Sequence, residues 1–148
     1  MRTEKARSKL LIAPILLEVR RAAGGTASLF SGADFSVDAS QELNGTYDFL
    51  MTQSPRQVFI EAPILAIFEA KKEDIVGGLG QCAAAMVAAQ RFNEQEGVVI
   101  PVLFGAVTTG DIWKFLTLGG NDLFLDAPTY YSDRLKAILG ILHQIVLS

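Results

Sequence analysis

The sequence predicts a single α/β domain built around a mixed sheet, and three observations lead to this prediction. The chain has 148 residues, half of them hydrophobic, which suits one compact domain with a sizeable core. The five successive apolar residues 64–68 indicate a strand that is buried on both faces. Helix-like and strand-like segments also alternate along residues 1–148, an order typical of layered α/β folds.

The first half of the chain is assigned from periodicity and turn residues. Residues 3–22 have apolar side chains at helical spacing, Pro14 should kink or break this helix, and the glycines after Ala23 should end it. Two strand-like segments follow, and the Asn44-Gly45 pair between them is a hairpin turn signal. These two strands are expected at 28–40 and 46–52, and the buried strand is expected to start after Pro63.

A long helix is predicted from about residue 75 to residue 96. Its glycines at 77, 78 and 80 should allow its backbone to approach the sheet closely. The alternative is a glycine-rich loop that binds phosphate, although the G-x-G-x-x-G order is missing. The remaining elements are a strand at 98–107, a turn at 108–111, a returning strand at 112–118, a short strand at 123–126 and an amphipathic helix at 130–147.

The net charge of −3 conceals an uneven distribution. Residues 1–21 carry six basic side chains and two acidic ones, whereas the rest of the chain carries seven basic and fourteen acidic ones. The N-terminal segment is therefore the one candidate for an electropositive patch, or else a solvated amphipathic helix. The single cysteine excludes an internal disulfide and a cysteine-cluster zinc site. With no apolar run long enough to span a bilayer and no clear cleavage signal, the expected location is cytoplasmic.

Charged residues end the buried strand and suggest an active site. Glu69 and Lys71 share one face of the strand, about 7 Å apart, and desolvating such a pair is costly for stability alone. Asp48 precedes Glu69 by 21 residues and falls in the strand 46–52. Two carboxylates and the carbonyl of Ala70 would leave positions for water and substrate, which suits Mg²⁺. Lys71 would then orient the nucleophile or stabilise the transition state of phosphoryl chemistry.

With this constellation the chain resembles the PD-(D/E)XK, or restriction-endonuclease-like, nuclease superfamily, over nearly its whole length. Members share a core of helix, three strands, helix and strand, with a carboxylate on the first helix, an aspartate on the second strand and E-x-K on the third. The resemblance implies that Glu18, Asp48, Glu69 and Lys71 form the site, with Glu18 as an outer or second-metal ligand. The segments similar to a small bacterial branch of such proteins are Leu43-Asn-Gly-Thr-Tyr-Asp48, Glu69-Ala-Lys-Lys72, Gly80-Gln-Cys82 and Thr108-Thr-Gly-Asp-Ile-Trp-Lys114.

One further residue and two departures follow from the same resemblance. Some branches have a Q-x-x-x-Y motif on the helix after E-x-K, and Gln81 stands where its glutamine would be. Ala85 occupies the place of the tyrosine, and Tyr47 occupies the place of the proline that usually precedes the aspartate. The motif is thus incomplete at Gln81.

The expected activity is hydrolysis of phosphodiester bonds, with DNA as the nucleic acid and Mg²⁺ as the cofactor, replaceable by Mn²⁺. The main alternative is a nuclease-like domain that binds nucleic acid or a protein partner without cutting, which the overall acidity of the chain favours. A more remote one is a small-molecule binding domain that uses the glycine-rich helix start.

Each candidate residue also has a structural alternative. Asp48 could satisfy a hairpin turn, Glu18 could be an ordinary helix-surface charge, and Gln81 could cap the helix or face solvent. The only histidine, His143, is expected to pack or to lie on the surface of the last helix.

Assembly is predicted from the chemistry and from the last helix. Cutting both strands of a duplex needs two sites, so a two-fold homodimer is expected. The alternative is that the last helix is buried on two sides within one chain. The apolar residues that suggested a dimer surface are Ile138, Leu139, Ile141, Leu142, Ile145 and Val146.

Overall fold

The computed structural model describes residues 12–24, 26–31, 34–38, 43–46, 48–53, 60, 62–71 and 74–147; for 31–46, 132 and 147 it describes the backbone alone. The helices in this part of the chain are α1 (Ala13–Ala22), α2 (Ile75–Gln95) and α3 (Leu135–Leu147). The strands are β1 (Ser28–Ser31), β2 (Asp34–Asp38), β3 (Leu43–Thr46), β4 (Phe49–Thr52), β5 (Ile64–Ala70), β6 (Leu103–Thr108), β7 (Ile112–Gly119), β8 (Asp122–Leu125) and β9 (Tyr130–Tyr131).

Seven of these strands form one mixed sheet, which confirms the predicted α/β class. The strand order is β1-β4-β5-β6-β7-β8, and β9 also pairs with β7. The β5–β6 pair is parallel, because α2 connects these strands as a crossover, and the other pairs are antiparallel. Strands β2 and β3 form a separate antiparallel pair.

The helices cover both faces of the sheet. On one face α2 packs against a cluster that includes Ile67, Met86 and Val107. On the other face α1 and α3 pack against a cluster that includes Phe68 and Trp113. Because β5 contributes residues to both clusters, all seven of its residues are buried, as the apolar run predicts.

The region between α1 and β5 is more finely divided than the sequence predicts. Four strands replace the two expected ones, and the Asn44-Gly45 turn prediction is wrong because both residues lie within β3, paired with Ser36 and Phe35. The pairing moves the chain reversal to the segment between Asp38 and Leu43, since ladder contacts outweigh a local turn preference. The placement of Asp48 inside a strand is also wrong: this residue immediately precedes β4.

Two other boundaries differ from the predictions. The strand expected from residue 98 begins only at Leu103, and Pro101, which has no N–H for a ladder, lies just before it. The last helix begins at Leu135 rather than at residue 130, because β9 and a 3₁₀ turn (Ser132–Arg134) precede it.

Pro14 lies in the first turn of α1, where a missing N–H removes no helical hydrogen bond. The kink or break predicted there involves residues 3–11, which lie outside the described residues. The predictions for two glycines are confirmed. Gly24 has a φ of 66° after the end of α1, and Gly110 has a φ of 94° in the turn between β6 and β7. The predicted helix residues 3–11, and with them Arg2, Lys5, Arg7 and Lys9 of the predicted electropositive segment, lie outside the described residues.

The apolar residues of α3 pack within the chain. Ile138, Leu142, Ile145 and Val146 are buried in the α1/α3 cluster, and Leu139 and Ile141 pack against the same cluster. This packing is the one expected if the helix is buried within one chain, which was the alternative to a dimer surface on this helix. None of the described helices is long and apolar enough to cross a membrane.

Candidate functional site

The candidate site lies where the parallel strands β5 and β6 end. Glu69 and Ala70 are the last residues of β5, and Glu69 pairs with Val107 of β6. The N–H of Lys71 donates a hydrogen bond of 2.9 Å to the carbonyl oxygen of Thr108, so the pairing continues one residue beyond β5. The backbone of Lys71 is therefore held in place at this end of the sheet.

Asp48 contacts the end of β5 directly. Its Oδ2 accepts a hydrogen bond of 2.7 Å from the N–H of Ala70. Phe49, the first residue of β4, pairs with Phe68, so β4 has no strand residue left to serve the N–H of Ala70. The carboxylate takes the place of that missing ladder partner and is held in one orientation. Asp48 thus satisfies the backbone of the neighbouring strand, which differs from the hairpin-turn role considered as its alternative.

Strand alternation places Glu69 on the α2 side of the sheet. Ile67 belongs to the cluster under α2, and Glu69 lies two residues after it in β5. Asp48, one residue before β4, reaches the same strand end through its bond to the N–H of Ala70. Glu69 is 7% exposed. Its negative charge, after burial, is a cause of the raised pKa of the Cys82 thiol, which indicates that the carboxylate faces the second turn of α2.

Lys71 and Gln81 are also brought together. The Nζ of Lys71 donates a hydrogen bond of 3.0 Å to Oε1 of Gln81. Gln81 therefore binds the candidate catalytic lysine while it stays exposed, so the solvent-facing role considered as its alternative also applies.

The start of α2 leaves room for this contact. Asp74 caps the helix, because its Oδ1 accepts a hydrogen bond of 2.9 Å from the N–H of Gly77. A Cβ atom on Gly78 would lie 2.6 Å from Cγ1 of Val107 and 2.7 Å from Cγ of Lys71. Gly78 thus allows the predicted close helix–sheet approach, and it leaves space for the stem of Lys71. The prediction is wrong for the other two glycines, because a Cβ on Gly77 would meet the capping Asp74 and one on Gly80 would meet nothing within 4 Å. The part of Gly78 in the site was not predicted, although its place three residues before Gln81 on α2 was a usable signal.

Glu18 is not brought to this group. It lies on α1, which packs against the opposite face of the sheet, and its carboxylate is about half exposed. Nε of Arg21 donates a hydrogen bond of 3.0 Å to Oε2 of Glu18, and a second bond joins Arg21 Nη2 to Oε1. The hydrogen bonds and charge of Arg21 lower the pKa of Glu18, and the charge of His143 on α3 acts in the same direction.

The turn beside Lys71 is internally bonded. Oγ1 of Thr108 accepts a hydrogen bond of 2.9 Å from the N–H of Gly110, and Oγ1 of Thr109 accepts two longer ones from the N–H groups of Asp111 and Ile112. These bonds hold the 108–111 turn rigidly at the edge of the site. They explain why threonines and a glycine occur there.

Lys114, in the same sequence segment, has a different role. Its Nζ donates hydrogen bonds of 3.0, 2.7 and 3.2 Å to the carbonyl oxygens of Asp126, Ala127 and Pro128. The ammonium group thus fixes the connection between β8 and β9, and Lys114 is a structural residue.

The donor set near Asp48 fits a hard cation with few protein ligands. The N–H of Ala70 points toward β4, and its carbonyl points the same way because both backbone groups of a strand residue face one neighbour. Asp48, Glu69 and this carbonyl are oxygen donors of the kind that Mg²⁺ uses while it keeps several waters. Among the residues that the structure describes, no three histidine, cysteine, aspartate or glutamate side chains are grouped so that they could hold a metal ion.

No family model matches the chain, and neither a curated protein nor a solved structure was found to match it. The class that the structure supports is an α/β fold with a mixed seven-strand sheet, flanked by three helices in the described part. The resemblance to PD-(D/E)XK nucleases stays a prediction.

Proposed function

We propose that the chain is a metal-dependent nuclease that hydrolyses phosphodiester bonds of DNA. The observation that carries this proposal is the convergence of an aspartate, a buried glutamate and a glutamine-bound lysine at the end of β5. Burying charge at a strand end lowers stability unless it is compensated, and such clusters are common at functional sites.

Asp48, Glu69 and the carbonyl of Ala70 would hold Mg²⁺ or Mn²⁺. The bound ion would supply neutralisation of charge on the phosphate and acidification of water. Lys71, whose Nζ donates to Gln81, would place its positive charge beside a phosphate oxygen or the attacking water. Gln81 acts through Lys71 as a positioning residue, because it limits where the ammonium group can move.

The competing function is a nuclease-like domain that binds nucleic acid or a protein partner without cutting. One observation favours it: the carboxylate of Glu18 is bound by Arg21 on the other face of the sheet, so the candidate cluster has two carboxylates among the residues that the structure describes, without the third that the superfamily pattern implies. Two carboxylates bind a divalent ion more weakly than three.

Cleavage assays separate these functions. The purified chain is incubated with supercoiled and with single-stranded DNA in Mg²⁺, in Mn²⁺ and in chelator. Cleavage is expected with either ion, and Lys71→Met should lower the rate about 10²- to 10³-fold, as removal of one transition-state donor does. Lys136→Met changes an exposed lysine on α3 in the same way and should cleave at the wild-type rate.

A melting experiment tests ion binding without cleavage. An ion that binds only the folded chain raises stability by about 2.7 kcal/mol at a concentration of 100 times its dissociation constant. The rise should disappear in Asp48→Asn, whose amide oxygen can still accept from the N–H of Ala70. DNA binding without cleavage in both ions would favour the competing function. The absence of both DNA binding and cleavage would refute the nuclease and any binding of DNA, and would leave the binding of a protein partner.

A further inference from the structure

The β8 edge of the sheet is apolar and uncovered. Among the described strands, β8 pairs only with β7 and ends the sheet. Leu123, Phe124 and Leu125 are 46%, 60% and 51% exposed, although Leu123 and Leu125 project to one face of the sheet and Phe124 to the other. Natural sheets usually blunt such an edge with lysine, proline or a bulge, and β8 contains none of these.

The backbone of β8 offers a row of pairing groups to a further strand. The N–H of Asp126 donates a hydrogen bond of 2.9 Å to the carbonyl oxygen of Phe115 in β7. Since backbone groups alternate in direction along a strand, Phe124 also faces β7, whereas the N–H and C=O groups of Leu123 and Leu125 face outward. Any strand that adds to this edge would bond to these two leucines.

We propose that β8 pairs antiparallel with β8 of a second copy of the chain, with the two-fold axis passing beside Phe124. In this register Leu123 of each copy exchanges both backbone hydrogen bonds with Leu125 of the other. Phe124 then faces Phe124 of the second copy at a non-hydrogen-bonded position, where opposing side chains approach most closely. The same patch serves both copies, as a closed two-fold dimer requires.

The apolar area of the edge suits a small, reversible dimer. Tyr131 of β9, on the same side of β7, and Leu135 at the start of α3 are also about half exposed. Half of the two aromatic side chains, at roughly 150–250 Å² each, is about 200 Å² of surface per copy, and three half-exposed leucines add to it. A standard interface takes about 800 Å² from each partner, of which about 65% is apolar in homodimers, so these side chains would supply a large part of the apolar contact.

Two carboxylates, at the first residue of β8 and directly after its last one, limit the strength of this pairing. Asp122 and Asp126 lie on the same face as Phe124, so the proposed register puts Asp122 of each copy opposite Asp126 of the other. Like charges directly opposite one another weaken a strand pair. The dimer should therefore be reversible, and removing one carboxylate should strengthen it. The same charges disfavour nucleic acid at this edge.

Sedimentation velocity at micromolar concentrations tests the proposal, and its result does not depend on the proposed nuclease activity. The wild-type chain should sediment as a dimer, and Phe124→Lys should weaken dimerisation at least about 30-fold, as the loss of a central contact does. Val99→Lys changes a side chain that is 83% exposed in the segment before β6 and should leave the dimer intact.

Two more variants test the register. Leu125→Pro removes an outward N–H but no hydrogen bond to β7, so it should give a monomer that still unfolds cooperatively. Asp126→Asn should tighten the dimer several-fold. A monomeric wild-type chain, or a Phe124→Lys variant that dimerises like the wild type, would overturn the proposal, and an unchanged Asp126→Asn dimer would overturn the register with Phe124 on the axis.

Discussion

A buried asparagine near the end of α2 is expected to hold the start of β5. Asn93 is 2% exposed; its Oδ1 accepts a hydrogen bond of 2.7 Å from the N–H of Ile64, and its Nδ2 donates one of 3.1 Å to the carbonyl oxygen of the same residue. The β5–β6 ladder begins only at Ala66, paired with Phe104. Ile64 pairs with Thr52 of β4 on one side, and on the other side the amide of Asn93 takes the place of β6.

Replacing this amide by an apolar group of similar size should destabilise the fold substantially. Asn93→Leu leaves the N–H and C=O of Ile64 buried without their partner, at about 1–3 kcal/mol for each group. The expected loss is about 2–4 kcal/mol after the gain from the added apolar contact, a large fraction of the 5–15 kcal/mol that is typical of a domain. The midpoint of thermal unfolding should fall by about 2–4 °C per kcal/mol or slightly more.

Asn93→Asp gives a second result with a defined sign. One oxygen of the introduced carboxylate can still accept from the N–H of Ile64. The other oxygen replaces the donating NH₂ group and faces the carbonyl oxygen of Ile64. Burial and that carbonyl should raise its pKa in the folded state above the unfolded value. The penalty is then present at neutral pH and relieved as pH falls through the folded pKa, where the protonated carboxyl donates again.

Urea unfolding of the wild type and of both variants measures these changes. The control is Gln90→Leu on the same helix. This change removes a single exposed hydrogen bond, of 2.7 Å to the carbonyl oxygen of Gly120, and should cost less than about 1 kcal/mol. The reasoning is refuted if Asn93→Leu stays within about 1 kcal/mol of the wild type with an unchanged dependence on urea.

Three further outcomes follow from other contacts. Gly78→Ala should destabilise the chain by about 1–3 kcal/mol because its Cβ would clash with Lys71 and Val107, whereas Gly80→Ala, with open space around it, should stabilise it by up to about 1 kcal/mol; both are measured by urea unfolding. Arg21→Gln should raise the pKa of Glu18 toward its ordinary value of 4.5 in an NMR titration. Since Arg21 lowers the folded pKa, this stabilisation is present above pH 4.5 and lost as pH falls through the folded pKa; an unchanged Glu18 titration would contradict the ion pair. Burial raises the pKa of Cys82, so a thiol reagent at neutral pH should react with it only after unfolding, and rapid reaction of the native chain would contradict this.

The centre of the fold was predictable because its signals are local and agree with one another. An unbroken apolar run after Pro63 specifies a strand that is buried on both faces, and β5 begins where this run begins and ends two residues after it. A long weakly polar segment after Asp74 specifies α2, whose observed end at Gln95 is one residue from the prediction. Neither element depends on a distant partner for its identity.

The segment between α1 and β5 was not predictable for the opposite reason. Its strands are four or five residues long, and their bounds are set by which strand each one pairs with. Asn44-Gly45 is a strong local turn signal, but these residues pair with Ser36 and Phe35, and a glycine inside a strand costs little beside the ladder bonds it permits. Pairing between β2 and β3, rather than composition, decides where this chain reverses.

The site shows the same division between local and tertiary information. E-x-K at the end of a buried strand places Glu69 and Lys71 on one face from alternation alone. The proximity of Asp48 depends on the register of β4 against β5, and the Lys71–Gln81 bond depends on the close approach that Gly78 allows. The position of α1 relative to the sheet, which separates Glu18 from the others, follows from packing that no local pattern encodes.

A purely structural role accounts for some of these residues and not for others. The bond from Ala70 N–H to Asp48 would be formed equally well by asparagine, so this contact does not itself require an acid at position 48. Glu69 is harder to explain in this way, because it is 7% exposed and apolar residues of similar volume often replace a buried ion pair without loss of stability. A strand that is apolar from Ile64 to Phe68 would have been simpler to extend with valine than with a glutamate and, two residues on, a lysine. The charge retained at that point of the sheet is the feature on which the proposal of a nuclease-type site depends.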